Sequence, residues 1–414
     1  MRVIVVGAGI VGVATAWELA AEGHEVVVLE RRASVASEGS FANAGIVSPG
    51  LVEPCTLLAR GPGSAPPRPS LAAGLGHLPW LWRSLLAGRE RRRAAPARSM
   101  RALAQASRDR QLSLAQALQL DYQQRQGHLV LLRKERALRS ARSWMARLAE
   151  AGIEHQLLGA DEARRIEPSL NPATALHAAI HLPQDSVGNS RQFAHLLKAE
   201  SQRRGAQFRF ETGVRALEPG ATPAVRLADG RRLEADAVVL CAGGGGAALL
   251  APLKLRLPLM AVWSVSVTAP VNHVDGTLPL APLSALTDLQ RQVSISRLGQ
   301  RVRVAGGAEL AARFDRPNAA PRMSMLRRLY RTLDDWFPGG AVMRQAQHWT
   351  GARPALPDGA PLLGASGLPG LWLNLGHGEH GWALACGSGQ ALAAMLGGRD
   401  PGIDLEPLGM GRFR

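Results

Sequence analysis

The chain has 414 residues, 46% of them hydrophobic and 20% charged, and a formal net charge of +16 in which Lys134, Lys198 and Lys254 are the only lysines. That length calls for two globular units that each bury a core, and the composition excludes a disordered chain. Aromatic residues at 4% supply no stacking platform for bases, so the arginine-borne charge is read as a drift in residue usage and nucleic acid is not an expected partner.

Cys55, Cys241 and Cys386 form no CxxC pair, which points away from a disulfide framework or structural zinc and toward a reducing compartment. No apolar run reaches the ~18 residues of a membrane span. The chain is therefore expected in the cytoplasm, or peripherally on the inner face of the cytoplasmic membrane.

Residues 2–6 (RVIVV) read as a buried strand, 10–22 as a helix and 25–30 (EVVVLE) as a second strand, a βαβ opening. Residues 34–50, rich in Ser, Ala, Asn and Gly, form a loop whose backbone can press against a ligand, and 61–70 read as a linker. Residues 79–93 place Trp80, Trp82, Leu85 and Leu86 beside clustered arginines. This fits an interfacial membrane helix or, as preferred, a helix of the second domain with a solvated charged end. Helices follow at 98–120 and 135–151 around a strand at 127–133, then a helix at 190–204 and strands at 207–211, 224–228 and 236–241. Alternation across 257–305 predicts an antiparallel sheet, and a strand at 371–375 with a helix at 381–396 closes the chain.

Gly7, Gly9 and Gly12 stand between the first strand and the first helix. Gly7 allows the tight turn, Gly9 lets backbone approach a pyrophosphate near Ile10 and Val11, and Gly12 lets helix and strand pack closely. Glu30, followed by Arg31, ends the second strand, where an acid accepts hydrogen bonds from ribose hydroxyls and disfavours NADP. Strand, glycines, helix and acid together predict a dinucleotide site. Three features favour FAD over NAD: the fingerprint opens the chain, the strand ADAVVLC runs into Ala242 and Gly243, and Gly376, His377 and Gly378 lead through Gly381 into a final helix. The positive end of that helix suits the negative charge of a reduced flavin.

Ser40-Phe41-Ala42-Asn43-Ala44-Gly45 with Ser48-Pro49-Gly50, His181-Leu182-Pro183-Gln184-Asp185 with Gly188-Asn189, and Trp349-Thr350-Gly351-Ala352-Arg353-Pro354 form a distinctive set. Pro357-Asp358-Gly359, Trp372-Leu373-Asn374, Gly381-Trp382 and Cys386-Gly387-Ser388-Gly389 complete it. With these the chain resembles, over nearly its full length, the FAD-dependent D-amino-acid dehydrogenase family in its small-subunit form, within the D-amino-acid oxidase and glycine oxidase superfamily. The resemblance implies an α/β, overall α+β, architecture: a discontinuous Rossmann-like FAD domain (1–60, 182–246, 340–414) and an inserted substrate domain of antiparallel sheet plus helices (61–181, 247–339). It further implies non-covalent FAD, oxidation of a D-amino acid to an imino acid and then a 2-oxo acid, and electron delivery to a quinone or another carrier. Where similar sequences have Lys-Gly-Tyr-Ser, this chain has Trp263-Ser264-Val265-Ser266, and only Tyr122 and Tyr330 can supply a phenol.

Hydride transfer to flavin requires the substrate carboxylate to be clamped, and arginine does this best. Arg353 is the candidate clamp, with a structural arginine serving loop carbonyls as the plainer alternative. His377 and His380 are candidates for polarising flavin or assisting a proton, against a role in shaping the turn. Asn43 and Ser48, with Ser40, Ala44, Gly45 and Trp382, are expected near the cofactor, and Cys386 is expected to pack in the core. Two rival functions remain open at this point: a nicotinamide-dependent dehydrogenase, and a flavin-holding subunit or paralogue with altered catalysis.

Overall fold

The computed structural model describes residues 1–57, 68–69, 77–272, 280–311, 313–315 and 319–413, so most of the expected linker at 61–70 lies outside the described residues. The runs RVIVV, EVVVL and AVVL form Arg2–Val6, Glu25–Leu29 and Ala237–Leu240, buried almost throughout as strands covered on both faces must be. They are the centre of a six-stranded sheet in the order Leu362–Ala365, Leu371–Leu375, Ala237–Leu240, Arg2–Val6, Glu25–Leu29, Gln207–Arg209. All neighbours are parallel except Leu362–Ala365. The chain builds outward from Arg2–Val6 first to one side and then to the other. The crevice beyond the carboxyl ends of Arg2–Val6 and Ala237–Leu240 is therefore a topological switch point, where open α/β sheets bind ligands.

Helices Ile10–Ala21, Glu90–Ala117, Ser190–Arg203 and Gly381–Leu396 share one core over this sheet, through Trp17, Met100, Leu103, Phe193, Leu197 and Leu384. The helix expected at 98–120 begins eight residues earlier, at Glu90, and carries Pro96 inside it. The tryptophan-bearing segment is a separate helix, Leu78–Ala87. Its Trp80 is buried against Met260, Val262 and Leu310, while Trp82 is 62% exposed. Among the described residues no helix is long and apolar enough to cross a membrane.

The second layer is a ten-stranded sheet whose main path runs Gln347–Ala355, Met260–Pro270, Arg301–Ala311, Val293–Leu298, Ala285–Asp288, Arg125–Leu132, Ala178–Val187, Ile46–Val47. It is antiparallel along this path except where Ala285–Asp288 meets Arg125–Leu132. Period-two alternation sorts its faces. Val265, Val267, Val293, Ile295, Val302 and Val304 pack with Leu329, Leu333 and Trp336 of helix Ala319–Trp336, leaving Ser266, Thr268, Ser296 and Arg303 on the other face. Ala178–Val187 crosses the expected domain boundary at 181/182, and Gln347–Ala355 lies beyond the one at 339/340, yet both are strands of this sheet. Within the expected linker, Arg68–Pro69 pairs in parallel with Glu309 and Leu310.

One buried carboxylate joins the layers. Glu53, 1% exposed, accepts Arg147 Nε at 2.8 Å and lies 3.5 Å from both Arg101 Nη1 and Arg93 Nη1, while its backbone oxygen takes His380 Nε2 at 3.0 Å. Removing that charge leaves three arginines facing one another. Glu53→Gln should therefore lower the thermal midpoint of the protein, at a cost on the order of 2 kcal/mol, below the ~3–5 of a fully buried pair because the arginines keep some water. A melting curve unchanged from wild type would refute this role.

Candidate active site

A cleft of about 820 Å³ opens at the switch point and runs between the two sheets. Its lining includes Gly7, Gly9, Ile10, Val11, Glu30, Arg31 and Ser40 from the opening βαβ unit and early loop, with Ala242 and Gly243. From the second sheet and the closing turn come Trp263, Trp349, Thr350, Arg353, Gly376, His377, Gly378, Glu379, Gly381 and Trp382. Gly12, Ala44, Gly45, Ser48 and His380 do not line it.

The three glycines of the fingerprint differ physically. Gly7 has φ +104°, and a Cβ there would stand 2.7 Å from the Cys241 carbonyl oxygen. A Cβ on Gly12 would fall 1.9 Å from the Gly7 oxygen, so helix and turn close only without it. Gly9 is another matter. Its φ of −64° suits any residue, and a Cβ would meet nothing nearer than Ser40 Oγ at 3.5 Å. The protein's own packing does not require glycine there; a phosphate pressed against the backbone at a helix N-terminus does. Ser40 Oγ already accepts Ile10 N at 3.1 Å, which aims the hydroxyl proton away from the helix.

Glu30 is fixed by its own backbone surroundings: Oε2 accepts Ala8 N at 2.7 Å and Oε1 accepts Arg32 N at 2.8 Å. Each oxygen keeps a lone pair for a ribose hydroxyl. Arg31 and Arg32 both grip Glu38 at 2.7 Å. Burial raises the Glu38 carboxyl, but the hydrogen bonds from the two arginines outweigh it and hold the group below its ordinary range.

The early loop is clamped by its carbonyls. Asn43 O accepts Arg303 Nη1 at 3.1 Å, Ala44 O accepts Ser296 Oγ at 2.6 Å, and Gly45 O accepts Trp382 Nε1 at 3.0 Å. Asn43 Oδ1 accepts Gly45 N within the loop and Ser190 Oγ from the start of helix Ser190–Arg203, at 2.9 and 3.0 Å. Ser48 is buried with its hydroxyl unpartnered, and it does not line the cleft. Arg303 is not apparent from sequence. It lies 8% exposed within an alternating strand, its guanidinium lowered to about 10 by burial and by Arg301, and only the contact with Asn43 distinguishes it.

Arg353 sits on the edge strand of the ten-stranded sheet, opposite Val262. Its Nη2 donates to Gly307 O at 2.9 Å, its Nη1 is 3.4 Å from Glu379 Oε2, and its Nε is buried without a partner. A bridge between Ala355 and His377 ties that strand to the closing turn. His377 is 4% exposed with Nε2 unpartnered, and burial, aided by nearby His380, lowers it from 6.5 to about 3, so it is neutral. His380 turns the other way, donating Nε2 to Glu53 O at 3.0 Å beside a smaller neighbouring cavity. Asn374 Oδ1 and Thr350 Oγ1 add two more buried unpartnered atoms on the cleft wall.

Neither tyrosine reaches the cleft. Tyr122 is buried behind Trp382, with Gln111 Nε2 3.4 Å from its hydroxyl, and Tyr330 contacts His348. Val265, in the departing stretch, faces the core under helix Ala319–Trp336. Cys386 is 1% exposed with its thiol pushed up by burial, and it does not line the cleft.

Comparison with known proteins identifies the family and the fold. A family model described as DAO, FAD dependent oxidoreductase, matches residues 2–395. Glycine oxidase from Geobacillus kaustophilus is similar in fold, with a TM-score of 0.76 at 22% identity over 99% of this chain and 98% of that one. L-proline dehydrogenase from P. horikoshii matches with a TM-score of 0.76 at 17% identity, over 100% and 97%. L-amino acid deaminase from Proteus myxofaciens matches at 0.73 and 17%, over 100% and 93%.

Two outcomes follow from the site. Gly9→Ala should leave the melting of the flavin-free protein at the wild-type value yet abolish flavin retention, whereas Gly12→Ala should damage both; equal damage by the two would refute the ligand-facing assignment of Gly9. His377 binds a proton below 6.5 when unfolded but only near 3 when folded. Its share of stability is complete above about 6.5 and is lost as pH falls from there toward 3. His377→Asn should flatten melting temperature against pH in that window, and an unaltered slope would contradict the assigned burial.

Proposed function

Because this chain belongs to the DAO family of FAD dependent oxidoreductases, we propose that it oxidises the carbon–nitrogen bond of a small amino acid, with D-amino acids, including cyclic ones of the D-proline kind, as the preferred class. Bound at the fingerprint glycines and Glu30, FAD, the cofactor of this family, would supply the hydride acceptor. The chain's own residues bind, orient and exclude water.

The observation that carries the reading is Arg353: a guanidinium on the wall of the same cleft as the dinucleotide fingerprint, with a buried Nε that no protein group satisfies. A buried donor without a partner is costly, and a carboxylate supplies a charged one. Neutral His377, its Nε2 also unpartnered, accepts or donates a hydrogen bond near the reacting atoms without adding charge. The closing helix Gly381–Leu396 starts at the cleft, so its N-terminal dipole favours the reduced cofactor. Preference for the D-series, and electron delivery to a quinone or an electron-transfer protein, rest on the motif resemblance. Exposed Leu78 and Trp82 next to exposed Arg83, Arg89, Arg91 and Arg92 favour delivery at an anionic membrane surface.

A second reading has one observation behind it. Among the described residues no tyrosine lines the cleft, which suits a flavin-holding subunit whose catalysis is altered. Anaerobic bleaching of the flavin by a panel of D- and L-amino acids, hydroxyprolines and glycine separates the two: bleaching by a D-amino acid supports the enzyme, and failure of the whole panel supports the non-catalytic role. Under the first reading Arg353→Leu loses about 2–5 kcal/mol of binding, a roughly 30- to several-thousand-fold fall in kcat/KM. Unchanged turnover and apparent affinity would remove Arg353 from the site.

A further inference from the structure

Between the two histidines that the sequence singles out lies a residue it does not. Glu379 is the middle residue of the turn Gly378–His380, which positive φ values at Gly376 and Gly378 and the Ala355–His377 bridge hold against the edge strand. Its carboxylate lines the same end of the cleft as Arg353 and is about one-fifth exposed.

We propose that Glu379 reads the amine of the substrate, so that Arg353 and Glu379 together make this end of the cleft complementary to a zwitterion and select amino acids over plain carboxylic acids. The proposal rests on the reading of Arg353 as the carboxylate clamp. The pair is not a closed salt bridge. Arg353 Nη1 and Glu379 Oε2 stand 3.4 Å apart, beyond the ~2.7–2.9 Å of a well-formed charged hydrogen bond. Arg353 Nη2 is committed to Gly307 O, while Nε on the guanidinium and Oε1 on the carboxylate are both buried and unpartnered.

The neighbouring His380 does not satisfy Oε1. His380 Nε2 is 3.8 Å away, its proton is given to Glu53 O, and burial lowers its affinity for a second one. Trp263, Trp349, Thr350 and neutral His377 contribute no negative charge to this end, and Asp315 is exposed and engaged by Arg313. A carboxylate oxygen held in that position suits a cationic donor close to the group that Arg353 binds. An α-amino acid carries its two charges one carbon apart. A plain acid would satisfy Arg353 and leave Glu379 Oε1 as it is, and an amine alone would do the converse.

The test uses flavin-loaded full-length protein under anaerobic conditions, with D-alanine against propionate and D-proline against cyclopentanecarboxylate. Affinities are read from flavin absorbance: from spectral perturbation for the acids and from the concentration dependence of bleaching or perturbation for the amino acids. Wild type should bind the amino acid at least tenfold more tightly than its matched acid in one pair or both. Glu379→Gln, which keeps the shape and removes the charge, should weaken the amino acid at least tenfold and leave the acid within threefold or bind it more tightly. Arg353→Gln should weaken both.

Equal loss for acid and amino acid in Glu379→Gln would make Glu379 a mere support for Arg353, and no loss would make it a bystander; each overturns the proposal. Wild type binding the acids as tightly as the amino acids also overturns it, while leaving the clamp in place. Wild type binding neither overturns clamp and proposal together. Amino acids that bind selectively but never bleach the flavin would sustain Glu379 as the amine reader and sink the oxidation reading alone. Flavin content and melting of each variant show that the fold is retained, and Glu379→Asp, which restores the charge, should recover part of the discrimination if Glu379→Gln perturbs folding.

Discussion

The three consecutive carbonyls at Asn43, Ala44 and Gly45 set the spacing on which the site depends. One is held by Arg303 and one by Ser296, both from the ten-stranded sheet, and one by Trp382 at the start of the closing helix. Backbone acceptors taken out of water must be satisfied, so this short loop is bound to both layers at once. The loop thereby ties the ten-stranded sheet to the closing helix. A cleft whose walls recognise different chemical groups needs such a tie, since a small error in placing a reacting carbon costs rate steeply.

The fingerprint, the buried strands and the closing helix were legible in sequence because each is specified locally: apolar runs of strand length, glycines where a Cβ would collide, and helical spacing. What was not legible depends on distant partners. Ala178–Val187 carries a motif and a proline, and its pairing with Arg125–Leu132, Gln156–Gly159 and Ile46–Val47 makes it a strand. Helix Ala319–Trp336 belongs to its place through Leu329, Leu333 and Trp336, whose apolar stripe has meaning only over the valines of the sheet. The motifs at 181–185 and 349–354 each lie within a single strand of the ten-stranded sheet, a membership that only their partner strands reveal.

The same limit governed the site residues. Arg353, His377 and the glycines were visible because their neighbours in sequence are distinctive. Arg303, Glu53 and Glu379 were not, since an arginine in an alternating strand or a glutamate in a turn looks like any solvated charge until a third element covers it. Glu53 gathers arginines from two helices and, through its backbone, the histidine of the closing turn. His380 thereby serves the scaffold, although it stands three residues from one that faces the cleft.

The cleft draws its walls from Gly7 near one end of the chain to Trp382 near the other, and the strand beside Ala237–Leu240 is Leu371–Leu375. No early segment emerging from a ribosome contains a cofactor groove; the groove comes into being only once the closing strand has inserted next to one made well over a hundred residues before it. Loading with cofactor consequently waits for residues 371–382, and a nascent chain stalled before them would present an unpaired parallel edge to whatever else the cell offers.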